Sequence, residues 1–396
     1  LMLRYFSPEE VGTFSVISQI GFFWTTLALA QAPLQLLANH GLSVFEDARL
    51  AWIASIKRFV WLLPIAALAV WFSGMSFVST LLWALLLSFC QLTWMLAQSI
   101  QLRMASVWAQ AGVRVLPPLM ALLVTFFAVS IQWNLPSLLV AALFGYAVGS
   151  IWFLPAILSF YHDRNTNVSI GKDQVVGTSE LQTSTHNTSA SASSNDNRSI
   201  TLRVIHTLTD ALLATFVVVI WQRLYGSQET GWIAATLRVM GFIPAVVHMA
   251  WAQVLLAQPR QTISTSSLWV GLTGFAIVGA LGAGCALALG TGWLGEQWQG
   301  VLPYLLPLVL WQGSACVVAA FSHLPFQANK ADSYSRLCIS VSGLQIFVLF
   351  VPILTELHIS QHMHIVIFSI LSSIGFIFIS AKIKTHFNER FASLRS

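Results

Sequence analysis

Tyr5-Phe6-Ser7-Pro8-Glu9-Glu10-Val11-Gly12 leads into one long apolar run, and Leu224-Tyr225-Gly226-Ser227-Gln228-Glu229-Thr230-Gly231 leads into another. Glu10 falls on Glu229 and Gly12 on Gly231 at a constant offset, so the chain reads as two copies of one design. The surrounding composition says what is copied. The sequence is 56% hydrophobic and 8% charged with a mean hydropathy of +0.75, whereas a soluble domain carries roughly 25% charged residues. Water is not the main solvent of such a chain.

Working outward from the echo, apolar runs long enough to cross a hydrocarbon layer of roughly 30 Å recur along the chain. They fall near residues 14–37, 58–75, 78–99, 113–131, 136–160, 204–222, 231–256, 267–291, 301–322, 337–355 and 363–381, which makes eleven helical spans. The runs are too long and too continuous for the alternating strands of a barrel, and lipid leaves the backbone no third arrangement. The expected fold class is therefore an all-α integral membrane protein.

The expected organisation has three parts. Residues 1–160 form an N-terminal transmembrane lobe, 161–203 a disordered, Ser/Thr/Asn-rich cytoplasmic linker, and 204–396 a C-terminal transmembrane lobe with a basic tail. A helix precedes the second signature but only Leu1–Arg4 precede the first, so a twelve-helix parent of two six-helix lobes, largely without its first helix, is expected. Of nineteen Lys and Arg, sixteen fall on alternate loops, at their helix edges or on the C-terminal tail. This bias places the C-terminus in the cytoplasm and accounts for the net charge of +5 without a nucleic-acid partner. Cys90, Cys285, Cys316 and Cys338 sit within or at the ends of spans without CxxC spacing and read as small packing residues.

Four stretches carry a family resemblance. Arg4-Tyr5-Phe6-Ser7-Pro8-Glu9-Glu10-Val11-Gly12, Gln98 through Arg114, Gly231 through Gln253 with Leu237-Arg238-Val239-Met240-Gly241-Phe242-Ile243-Pro244, and Leu294-Gly295-Glu296-Gln297-Trp298 stand in the family's order. The chain resembles polysaccharide biosynthesis exporters, the O-antigen flippase branch of the multidrug/oligosaccharidyl-lipid/polysaccharide superfamily. The resemblance implies two lobes facing each other in a V. It also implies alternating-access movement of undecaprenyl-pyrophosphate-linked sugar repeat units across the bacterial inner membrane. The implied partners are the lipid-linked oligosaccharide, membrane lipids, and the polysaccharide polymerase and glycosyltransferases of the same assembly. No cofactor is expected beyond coupling to an H+ or Na+ gradient.

Ionisable residues inside spans are costly, which makes them the first site candidates. Arg238 shares a helix face with Ala234, Gly241, Ala245 and His248, a face mostly of small residues suited to line a cavity, where its guanidinium would hold an anionic head group. The plainer role is snorkelling to the outer interface. Gln19 is its counterpart in the first copy. Asp210 and His248 are expected at similar depth if their helices form an antiparallel hairpin, placing a carboxylate and an imidazole where a cation or proton could be exchanged. Against that stands an Asp210 simply bonded to Arg203 or His206. Arg103 and Arg114 flank a cytoplasmic turn where they could meet a pyrophosphate, or only set topology. Glu10, Glu229 and Glu296 read as helix-start carboxylates. Trp24, Trp94 and Trp221 read as packing rather than sugar-stacking residues.

Two other classes compete. A membrane polymerase or ligase would need acids and arginines on large outer loops, which are short and nearly chargeless here. A multidrug or cation antiporter of the same superfamily would look alike in hydropathy and duplication, its cavity favouring carboxylates over a cation such as Arg238.

Overall fold

The computed structural model describes residues 2–30, 32–38, 43–104, 107–131, 136–156, 192–252, 255, 264–327 and 330–393. Among them all regular structure is helical. The spans are α1 (Pro8–Leu29), α2 (Val44–Trp61 continued by Leu63–Ser73), α3 (Phe77–Arg103), α4 (Val107–Ser130), α5 (Ser137–Ser150), α6 and α7 (204–225 and 227–251), α8 (Ser264–Gly290), α9 (Leu302–Phe321), α10 (Ala331–Thr355) and α11 (Gln361–Ser393). Among the described residues nine helices are long and apolar enough to cross a membrane when α6–α7 is taken as one, ten if the bent α2 counts as one span. α6 and α7 follow one another directly and are separated by a kink at Gly226, with φ 84 and ψ −179. Only glycine takes such backbone angles without strain. Counting α6 and α7 separately, each of the eleven apolar runs coincides with a helix over its described residues.

Helix ends depart from the apolar runs for local reasons. The second helix begins at Val44, well before the hydropathy rises at 58, because Ser43 and Glu46 form a capping box with side chain and backbone bonded both ways. It then bends by 46° where Pro64, lacking an N–H, cannot bond the preceding turn. The first span stops at Leu29, where Ala30 takes a positive φ of 48, and Ala32–Ala38 continues as a separate helix. At the start of α1, Glu10 accepts from the Ser7 N–H at 2.8 Å while Ser7 Oγ accepts from Glu10 N–H at 3.3 Å. Of the linker expected over 161–203, residues 192–203 extend the α6 helix; the rest lies outside the described residues.

The chain divides into two compact units: Leu1–Gln19, Phe72–Gly74 and Ser199–Ser396 make the larger, Ile20–Trp71 and Met75–Arg198 the smaller. The division runs through α1, whose first half belongs with the second copy of the repeat rather than with residues 20–160.

The smaller unit packs around Trp24, stacked on Phe59 at 4.3 Å with its indole N–H donating to Phe59 O at 2.9 Å. Leu92, Leu96, Val113 and Phe153 complete that core. Trp94 donates to Val113 O at 2.7 Å and lies over Gly149, where a Cβ would come within 2.2 Å of the indole. In the larger unit Trp221 is fully buried, stacked on His364 at 5.0 Å, and donates to the Tyr304 hydroxyl. These three tryptophans are therefore packing elements. Large apolar side chains such as Trp61, 78% exposed, and Leu287, 69% exposed, cover the outside. That surface is compatible with hydrocarbon and costly in water.

Candidate functional site

Within the larger unit, five helices and the start of α1 surround a cavity of about 690 Å³. Helical periodicity aims its polar groups. His206 and Asp210 are one turn apart on α6 and face inward with Leu213 and Val217; Tyr334, Cys338, Ser342 and Gln345 make a similar stripe on α10. From α7 come Arg238 and His248, and from α1 Ser15 and Gln19. Trp311, Phe326 and Phe376 supply the aromatic part of the wall.

The polar groups fall into two sets. In the first, Asp210 accepts from the Ser342 hydroxyl at 3.1 Å on one oxygen and meets His206 Nε2 at 3.2 Å on the other. The Tyr334 ring stands edge-on to His206 at 5.7 Å. One turn beyond Ser342, Gln345 is only 2% exposed, and neither atom of its amide meets a protein partner among the described residues. A buried amide left so costs about 1–3 kcal/mol, so its presence on a cavity wall marks a place where an entering group can bond. In the second set, Arg238 is exposed to the cavity, its guanidinium 4.5 Å from the Phe14 ring centre and donating to Ser18 Oγ at 3.4 Å. Stacking on an aromatic face fixes the plane of the guanidinium.

His248 begins a π-helical turn, His248–Ala252, that follows the helix break at Gly241 and Pro244. Its Nδ1 lies 3.1 Å from Ser322 Oγ. Single π turns redirect side chains and recur at functional sites.

The structure thus brings Arg238, Gln19, Asp210 and His248 to one cavity. Asp210 bonds its neighbour His206, as the plainer expectation held, and also Ser342. Arg103 and Arg114 do not line this cavity and belong to the smaller unit. Arg103 is nearly buried, paired with Asp47 at 2.5 Å and donating to Leu36 O at 3.2 Å, so its charge is used to lock α3 against α2 and the Ala32–Ala38 helix. Arg114 is exposed on α4.

Two contributors escaped the sequence reading. Ser342 and Gln345 were detectable only as two polar positions one turn apart in an apolar span. Glu229, expected at a helix start, instead accepts from the Tyr304 hydroxyl and from Gln361 Nε2, tying α7 to α9 and α11.

Two bundles of long apolar helices with a partly polar cavity inside one of them are the architecture of a multi-pass integral membrane protein. Over 97% of this chain and 91% of the other, the structure is similar to that reported as the inward-facing conformation of a multidrug resistance MATE family transporter of the MOP superfamily, with a TM-score of 0.50 and 10% sequence identity. That likeness shows the fold alone and does not single out the O-antigen flippase branch suggested by the sequence motifs. No protein-family model matches the chain, and no curated protein does.

Proposed function

We propose that this chain is a secondary transporter that admits an amphipathic cargo to the cavity and exchanges it for a cation or proton held at Asp210. The observation that carries this is the pairing, in one cavity, of an apolar and aromatic wall with a single lining carboxylate. Asp210, Ser342 and Gln345 offer oxygen ligands on facing helices, and His206 offers an imidazole to share or release a proton. Lipophilic cations favour aromatic faces and a carboxylate. A multidrug-type antiporter is thus the reading that the fold likeness and the Asp210 side of the cavity support together. The basic bias of alternate loops supports a cytoplasmic C-terminus, and a bacterial inner membrane is the proposed location.

A second reading is the lipid-linked oligosaccharide flippase, and Arg238 favours it. An exposed guanidinium with the amides of Gln19 and Gln312 beside it suits a pyrophosphate and sugar hydroxyls better than an organic cation. In both readings the cargo moves by alternating access.

One pair of assays separates them. Purified protein in liposomes is tested for uptake of a fluorescent lipophilic cation under an imposed H+ or Na+ gradient, and the gene for rescue of a flippase-null strain. Gradient-driven uptake lost in Asp210→Asn supports the antiporter; rescue lost in Arg238→Ala, with protein still in the membrane, supports the flippase. Wild-type behaviour of both variants in both assays removes the cavity as the transport site.

A further inference from the structure

A second cavity, of about 370 Å³, lies where the start of α10 meets the end of α11 in the larger unit. Lys330, Arg336 and Lys382 line it, and among the described residues no Asp or Glu does. Lys330 is the N-cap of α10 and makes no side-chain cap bond, and the Ser333 hydroxyl adds a donor to the three cations. Asp332, the carboxylate of that turn, is not among the lining residues.

What leads away from the cations is apolar. On α11, Lys382, Phe378, Ile374 and Ile370 follow one another every four residues, so they form one row along the helix. Phe378, Ile374 and Ile370 are 49%, 58% and 46% exposed, and the Lys382 ammonium lies 5.8 Å from the Phe378 ring centre. On α10, Arg336 and Ser340 are followed along the same face by exposed Leu344 and Phe347. Each helix therefore presents a cation at one end and a hydrocarbon-facing strip beyond it. The wall between the strips carries Leu324 and Leu337.

We propose that this groove binds an anionic phospholipid of the leaflet on the side of the chain's basic ends. Its phosphate sits among Lys330, Arg336 and Lys382, and its acyl chains lie along the Phe378 and Leu344 strips. A small soluble phosphate would satisfy the cations but make no use of the two strips. A zwitterionic lipid would use the strips but bring its own cation to a cluster already positive. Tyr334 lines both this groove and the transport cavity, with its ring against His206.

The test is binding, independent of transport. Protein in a neutral detergent is titrated with phosphatidylglycerol, with phosphatidylcholine and with inorganic pyrophosphate, and thermal unfolding is followed. Phosphatidylglycerol is expected to raise Tm by about 3–5 °C, less at high salt, with the other two giving no comparable rise. In Lys330→Gln/Arg336→Gln/Lys382→Gln the apparent affinity for phosphatidylglycerol should fall at least tenfold, while the unliganded Tm stays near wild type because all three side chains are exposed. If that variant folds poorly, the salt dependence of the wild-type shift decides: a salt-independent shift overturns the proposal. Equal stabilisation by phosphatidylcholine, or an unchanged response in the triple variant, also overturns it. Equal stabilisation by pyrophosphate assigns the groove to a soluble anion and removes the lipid.

Discussion

Gly12 and Gly231, the glycines of the two echoing signatures, pack backbone to backbone with reciprocal geometry. A Cβ on Gly12 would fall 2.0 Å from the Ser227 carbonyl oxygen, and one on Gly231 would fall 1.8 Å from the Pro8 carbonyl oxygen. Pro8 and Ser227 are themselves counterparts in the repeat. Each copy of the signature thus recognises the other, which is why the first half of α1 packs with α7 and why Ser15 and Gln19 reach the cavity wall. Close helix approach through small residues is the common solution where lipid supplies no hydrophobic drive between helices.

Gly12→Ala and Gly231→Ala should each destabilise the protein by about 1–3 kcal/mol, since backbone rather than a flexible side chain must yield. Fluorescence-monitored size exclusion after heating checks this. The double variant should lose less than the sum of the two, because the helices, once parted, have already yielded.

Gln345→Leu separates a structural amide from a cargo or ion ligand. Removing a buried, unbonded amide is expected to leave stability unchanged or raise it by about 1 kcal/mol. Transport should fall, and Tm and uptake rate, measured on one preparation, should move in opposite directions. A parallel loss of both would make the amide a structural element.

Asp210→Asn keeps the shape of the side chain and can still accept from Ser342, but its charge is gone. The expected outcome is normal folding with uptake that no longer responds to the imposed ion gradient, read in liposomes at several gradients. Asp210→Glu should retain part of that response.

The Arg103–Asp47 pair makes the opposite prediction, one of structure alone. Because both side chains are nearly buried, losing either leaves an uncompensated charge and costs about 3–5 kcal/mol. Arg103→Met and Asp47→Leu should each lower Tm strongly, and the double variant should recover much of the loss. Retained uptake per folded molecule in the double variant would accord with a purely structural Arg103.

Span count, the repeat, the all-α class and the place of Arg238 and Ala234 on the cavity wall could be read from the chain because hydropathy and helical period act over a few turns, whereas Gly241 and Ala245 of the same expected face are not on that wall. Asp210 and His206, one turn apart, belong to that category too. The fate of Arg103 could not be read: its partner Asp47 is a charged residue on another helix, and nothing in the spacing of either predicts the meeting. Gln345 was equally hidden, since a lone amide in an apolar span looks the same whether it is bonded or bare. Glu229 shows the limit of the echo, because Glu10 caps its own helix while Glu229 is drawn off by Tyr304 and Gln361.

The solvent, the helices and the duplicated design were legible in the chain alone, as consequences of composition and short-range period. Which polar side chains share a cavity, and which are spent holding helices together, was settled by folding in three dimensions. That choice depends on helix contacts between residues remote in the chain, such as Gly12 against Gly231, where backbone approach of a few ångströms sets which faces meet.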